Sequence, residues 1–247
     1  MAENDHFKGK DALSHLAEKQ AQGILYSKEV HGLELPGHLQ AACDAARDVA
    51  VVLLLVFSLL IHFELPVLTL AKMLSLLALG LIIWKSGRAA WLGWARLERL
   101  HRILAQEKWE IEHNRPQERE ELLVLYHAKG FEGKLLEDVV DTLMADEGRL
   151  LKVMIEEEMG LTLENLEHPL KQGLGAFLGS LMASLLCILA LFLQFEWGLF
   201  VAALAVVGGA SGFAAYKADS RPLHAAVWSI GIAFLAGATT YFFSDLL

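Results

Sequence analysis

Five apolar stretches, each long enough to approach or cross a lipid bilayer, constrain this 247-residue chain more than any other feature. A spanning helix needs about 20 mostly apolar residues, because lipid offers the backbone no hydrogen-bond partner. The stretches cover residues 49–63 (extendable through 41–46), 65–84, 173–195, 197–216 and 222–243, and the last three contain no Asp, Glu, Lys or Arg. The sequence therefore predicts an all-α, polytopic membrane protein with five transmembrane helices.

Charge in the connecting segments predicts how the spans are oriented. The segment 85–172 carries many Lys and Arg residues, and the short connection after Tyr216 contains Lys217 and Arg221. The turns after the first and third spans have neither residue type. By the positive-inside rule, 85–172 is expected on the cytoplasmic side. With five spans, the N-terminus is then cytoplasmic and the C-terminus lies on the opposite side.

These patterns divide the chain into four expected regions. They are an N-terminal cytoplasmic segment (1–40), spans one and two (41–84), a cytoplasmic helical domain (85–172) and spans three to five (173–247). The net charge of −9 disfavours nucleic acid as a partner, which requires clustered Lys and Arg.

Within the cytoplasmic region, the stretch EKWEIEHNRPQEREEL contains two glutamate pairs with the same spacing. Glu107 and Glu110 are three residues apart, as are Glu118 and Glu121, so each pair shares one helix face. Pro116 is expected to end the first helix and fold the second back, which lets the two pairs converge. Carboxylate oxygens suit ions such as Mn²⁺ and Fe²⁺. The alternative is a solvated acidic surface.

The remaining cytoplasmic sequence predicts a small helical bundle. The second span is expected to continue as one helix to His113. A second helix covers about 117–129 and stops at Gly130, and 131–160 forms one or two more. A methionine near the glutamates, such as Met154, would add a softer ligand.

The segments EKWEI, EREEL, YHAKGF, VVDTLMAD and VMIEEEMGL, together with the C-terminal GFAAYKADSRPLHAAVWSIGIAFLAGATTYFFSDLL, resemble the vacuolar iron transporter family. The resemblance covers about 48–247. It implies a cytoplasmic helical metal-binding domain between the second and third spans. It also implies a transporter, not an enzyme, that moves Fe²⁺ or Mn²⁺ from the cytosol to an organelle lumen or the outside. Proton coupling and a homodimer in the lipid bilayer are further implications.

The resemblance also implies a set of site residues. The metal ligands carried over from the family are Glu107, Glu110, Glu118, Glu121, Met154 and Glu158. Ile155 stands where the family has a second methionine. Asp48, at the start of the first span, matches an aspartate of the translocation path.

The second span departs from the family pattern. Lys85 and Leu77 occupy the positions of the family's methionine and glutamate. We hypothesise that Lys85 forms an ion pair with Asp48 and competes there with a divalent cation.

Two alternative functions remain open from the sequence. Glu110 and His113 have the Glu-x-x-His spacing of di-iron carboxylate enzymes, although the second such motif is missing. The changes at Lys85 and Leu77 also favour a membrane-anchored metal-binding protein without transport. Separately, Gly208-x-x-x-Gly212 predicts close helix packing, either within one chain or between two copies.

Overall fold

The computed structural model describes residues 14, 35–158, 167–194 and 197–244. Within these residues the fold is all-helical, as predicted, and contains no strand. The helices are α1 (Gly37–Leu60), α2 (Val67–His113), α3 (Arg115–Ala128), α4 (Gly133–Met144), α5 (Glu147–Val153), α6 (Pro169–Leu193), α7 (Gly198–Lys217) and α8 (Pro222–Ser244). A short 3₁₀ turn, Ile61–Phe63, extends α1, and a π turn, Met154–Glu158, follows α5.

Five of the described helices are long and apolar enough to cross a membrane: α1 with its 3₁₀ turn, α2, α6, α7 and α8. The prediction of a multi-pass membrane protein is confirmed. Helix α1 begins at Gly37, earlier than the predicted extension, and α6 begins at Pro169, four residues before the predicted span. Most of the N-terminal segment 1–40 lies outside the described residues.

The chain divides into two compact units. Apart from Ser14, the described residues of the helical unit lie in 96–158, and those of the membrane unit lie in 35–95, 167–194 and 197–244. Helix α2 runs without interruption for 47 residues and contributes to both units, as predicted for the second span.

Helix α1 is the central element of the membrane unit. Its buried side chains recur every three or four residues, which gives one continuous apolar face. Val49, Leu53 and Leu54 are fully buried, with Phe57 nearly so, and they pack against residues of α2, α6, α7 and α8. The first predicted span and the third, α6, are the two most buried of the five.

Helices α1 and α6 approach so closely that their contact requires glycine. A Cβ atom at Gly175 would overlap the carbonyl of His38, and one at Gly179 would overlap the carbonyl of Ala42. Small residues spaced in this way allow helix backbones to meet in membranes.

The predicted Gly208-x-x-x-Gly212 contact is formed within one chain. A Cβ at Gly208 would press on Ile230, and one at Gly212 would touch Ala226, both on α8. The sequence left open packing within one chain or between two copies, and the structure shows these glycines packing between α7 and α8 of one chain.

A carboxylate from a distant segment caps the start of α1. Pro36 provides no side-chain cap, and the Glu167 carboxylate accepts hydrogen bonds from the His38 backbone N–H and from His38 Nδ1, each at 2.7 Å. Lys171 Nζ donates to the same carboxylate at 3.1 Å. Burial alone would raise the pKa of Glu167, but these hydrogen bonds outweigh it and lower the pKa below its ordinary value of 4.5.

The helical unit has its own apolar core. The buried side chains come from the end of α2 and from α3, α4, α5 and the π turn; they are Ile111, Leu122, Leu125, Tyr126, Val140, Leu150 and Met154. Helix α3 ends as predicted at Gly130, whose φ of 94° is left-handed. Gly130 N–H bonds to His127 O and Phe131 N–H to Tyr126 O, which is the Schellman arrangement.

We expect Gly179→Ala to destabilise the membrane unit, because the added methyl group has no room beside the Ala42 carbonyl. Overpacking of this kind costs about 1–3 kcal/mol. Gly209→Ala is the matched control, since nothing lies within 4 Å of a Cβ there. Thermal unfolding in detergent should show a lower midpoint for Gly179→Ala alone. Equal midpoints for the two variants would contradict the close α1–α6 packing.

The Glu167 cap predicts a specific pH dependence. Because the folded pKa is lowered, the stabilising contribution is present above the unfolded pKa and is lost as pH falls through the folded value. Wild type should therefore unfold at a higher temperature than Glu167→Gln at neutral pH, and the difference should shrink below about pH 4.5. A difference that stays constant down to strongly acidic pH would show that the carboxylate is not responsible.

Candidate metal site in the helical unit

Three glutamates come together where α2 ends and α3 begins. One carboxylate oxygen from each of Glu107, Glu110 and Glu118 lies within 4.8 Å of the others. We call these three residues the glutamate cluster. Two come from the last turns of α2 and one from the first turn of α3, so the convergence predicted from the sequence is formed for these three residues.

The turn between the helices creates this convergence. The break falls at Asn114, whose φ and ψ of −124° and 33° are not helical. Helix α2 ends at His113, as predicted, whereas α3 begins at Arg115, earlier than the predicted start at about 117. Pro116 lies in the first turn of α3, where its missing N–H has no intrahelical acceptor to lose.

The cluster is removed from solvent. Glu107 and Glu118 are 0% exposed, and Glu110 is partly buried. Oε1 of Glu107 and both carboxylate oxygens of Glu118 are inaccessible to water. Gln106 Nε2 donates to Glu110 Oε1 at 3.0 Å, which helps to orient that carboxylate. A solvated acidic surface, the alternative interpretation, does not have this burial.

Glu112 and Glu120 show what solvated glutamates look like on the same helices. Both side chains are exposed. Glu112 lies 3.9 Å from Lys108 in a surface ion pair. They therefore provide matched controls for the cluster.

The local electrostatics favour a cation. Two ionised carboxylates at this separation repel by on the order of 3 kcal/mol at an effective dielectric of about 20. Glu107 and Glu110 also lie near the C-terminus of α2, where the helix dipole is negative. A divalent ion bound between the three oxygens would offset both effects.

The other predicted ligands are placed as follows. Glu121 is 1% exposed and lies one turn beyond Glu118 on α3, outside the three-oxygen group. Met154 is buried in the core of the helical unit with Ile111 and Leu122, the neighbours of Glu110 and Glu121 in sequence. Ile155 is also buried. Glu158 ends the π turn, and its side chain lies outside the described part of the structure.

The π turn was not predicted from the sequence. It is tied to α3 through Glu157, which accepts from the Tyr126 hydroxyl at 3.2 Å and forms an ion pair with Lys129. Burial raises the pKa of Tyr126 and lowers the pKa of Lys129. Turns of this kind occur frequently at functional sites, and this one fixes the backbone that carries Met154.

His113 does not complete a Glu-x-x-His site in the described structure. Its Nδ1 donates to Trp109 O at 2.9 Å, and its ring stacks on Trp109 at 4.5 Å between centroids. The clustered ligands among the described residues are glutamates alone. This arrangement does not support the di-iron enzyme considered from the sequence.

In the membrane unit, Lys85 Nζ donates to Asp48 and joins α2 to α1. The ion pair predicted from the sequence is therefore present. Asp44 and Arg47 form a second ion pair one turn away on α1.

Comparison with known proteins agrees with these features. A model of the VIT family matches residues 95–245, which is more than half of the chain and includes the glutamate cluster. No curated protein matches the chain. The chain belongs to the VIT family, whose proteins are transporters rather than enzymes, and this membership implies transport of iron or manganese.

Proposed function

We propose that this protein exports Fe²⁺ or Mn²⁺ from the cytosol, to an organelle lumen or the outside, and that the glutamate cluster captures the ion. The observation that carries the proposal is the convergence of three carboxylate oxygens within 4.8 Å in a buried setting. Hard and borderline divalent ions bind such oxygen sets readily. Transport, rather than storage or catalysis, follows from family membership and five candidate spans.

The proposed ligand set is larger than the cluster. Glu121 is buried one turn from Glu118 on the same helix, and we include it as a source of a further oxygen. Met154 and Glu158 lie in the π turn, and the Met154 thioether supplies the soft ligand that favours Fe²⁺ over Mg²⁺. The ion would thus be held by Glu107, Glu110, Glu118, Glu121, Met154 and Glu158.

The proposal includes an orientation and a coupling mode. The helical domain, 85–172, faces the cytosol by the positive-inside rule, so captured ions leave the cytosol. Carboxylates exchange metal for protons, which supports proton-coupled transport by the cluster and by Asp48 in the membrane path, with Lys85 beside it. A homodimer is part of the same proposal.

We expect Mn²⁺ to stabilise the protein against thermal unfolding. An ion that binds only the folded state adds about 2.7 kcal/mol of stability at one hundred times its dissociation constant. The double variant Glu107→Gln/Glu118→Gln should lose most of the Mn²⁺-induced rise in unfolding temperature, because it removes two of the three converging charges. Glu112→Gln/Glu120→Gln should keep it. If Mn²⁺ raised the unfolding temperature equally in both double variants, the ion would bind outside the glutamate cluster.

Uptake into proteoliposomes tests transport itself. Wild type should take up Mn²⁺ and Fe²⁺, and Glu107→Gln/Glu118→Gln should reduce the initial rate by about tenfold or more. The Glu112→Gln/Glu120→Gln control should retain the wild-type rate. A wild-type protein that is stabilised by Mn²⁺ but transports neither ion would contradict the transport proposal.

That last outcome corresponds to the second candidate function, a membrane-anchored metal-binding protein. One observation favours it: Asp48, the expected carboxylate of the path, is already paired with Lys85. Binding and uptake measured on the same preparation separate the two functions.

A further inference from the structure

A cavity of about 350 Å³ opens in the membrane unit among α1, α2, α7 and α8. Its charged side chains are Asp44, Arg47, Asp48 and Arg88. Small and apolar side chains of α1, α7 and α8 form the rest of the wall. Charged side chains among membrane helices mark ion pathways, so this cavity, with its two carboxylates and two arginines, is a candidate passage for a cation.

Both carboxylates of this cavity are matched by cations of the chain. Arg47 Nη2 donates to Asp44, and Lys85 Nζ donates to Asp48. A carboxylate without a counter-ion among membrane-spanning helices would be costly. The chain therefore neutralises each one internally.

The two internal cations are held differently. Arg47 bonds to Asp44 on its own helix and also, at 3.4 Å, to Ser211 Oγ on α7. Within the described residues, Lys85 bonds only to Asp48, across the α1–α2 contact. Displacing Arg47 would therefore break two contacts, whereas displacing Lys85 would break one. A lysine also has a flexible stem that lets its ammonium group move to an interface.

Asp48 and Lys85 also differ in solvent exposure. The Asp48 side chain is 53% exposed, whereas the Lys85 side chain is 16% exposed. The Asp48 carboxylate is therefore accessible to an ion in the cavity, and the Lys85 side chain does not cover it. A divalent ion carries twice the charge of the ammonium group and attracts the same carboxylate more strongly.

We propose that Lys85 is a displaceable counter-ion: it occupies Asp48 when no metal is present and is released when a divalent cation binds there. Arg47 remains on Asp44 throughout. This inference rests on the proposed function, since it places Asp48 in the transport path. The consequence is a path whose two carboxylates are both paired at rest and that admits divalent ions at the expense of apparent affinity.

Zero-length cross-linking tests the displacement without requiring transport. A water-soluble carbodiimide joins a lysine to a contacting carboxylate as an amide, and mass spectrometry of the full-length protein quantifies the Lys85–Asp48 product. Rising Mn²⁺, at constant ionic strength, should reduce this product by about tenfold. The Lys171–Glu167 pair, with Nζ and oxygen 3.1 Å apart, is the internal reference and should change little.

Transport by lysine variants provides the second readout. Lys85→Gln should lower the KM for Mn²⁺ several-fold, because the competing charge is gone. Lys85→Arg keeps a cation and should not lower it. Lys72→Gln, which removes another lysine of α2 that does not pair with Asp48, is the matched control and should transport as wild type.

The outcomes separate this inference from the proposed function. If Mn²⁺ saturates uptake while the Lys85–Asp48 product stays constant, the counter-ion is not displaced and the inference is overturned. An unchanged KM in Lys85→Gln overturns it equally. If Mn²⁺ suppresses the product while wild type transports nothing, the inference stands and the proposed transport fails.

Discussion

The burial of carboxylates close to one another is the constraint on which the candidate site of the helical unit depends. Glu107, Glu110 and Glu118 converge within 4.8 Å, and two of them are fully buried. The fold keeps them there through the break at Asn114, the Schellman end of α3 and the core around Met154. Like charges brought this close cost stability, and a bound cation would offset that cost, which is why we propose a metal ion as the ligand of the cluster.

The membrane unit meets the same electrostatic problem by a different means. Asp44 and Asp48 are neutralised by Arg47 and Lys85, which belong to the chain. In the helical unit, converging carboxylate oxygens would supply the affinity for metal. An unpaired charge within the bilayer has a high free-energy cost, since the membrane offers no water to solvate it. Under the proposed function, the helical unit would capture the ion and the membrane unit would pass it.

The sequence predicted the features that depend on local patterns. Helical spacing gave the Glu107/Glu110 pair, apolar length gave the five spans, and Gly130 marked the end of α3. The cap of α1 by Glu167 was missed, because its partners are 129 residues apart and no local pattern connects them. The π turn was missed for a similar reason: Tyr126 and Lys129 hold it through Glu157, a contact that only the folded unit creates.

The most direct test of the central claim is an anomalous difference map, recorded at the manganese edge, from crystals of the full-length protein grown with Mn²⁺. The account predicts a peak in direct coordination with one oxygen each of Glu107, Glu110 and Glu118. It also predicts that the peak is absent from Glu107→Gln/Glu118→Gln and present in Glu112→Gln/Glu120→Gln. A well-ordered wild-type helical unit with no manganese between these three carboxylates would contradict the account.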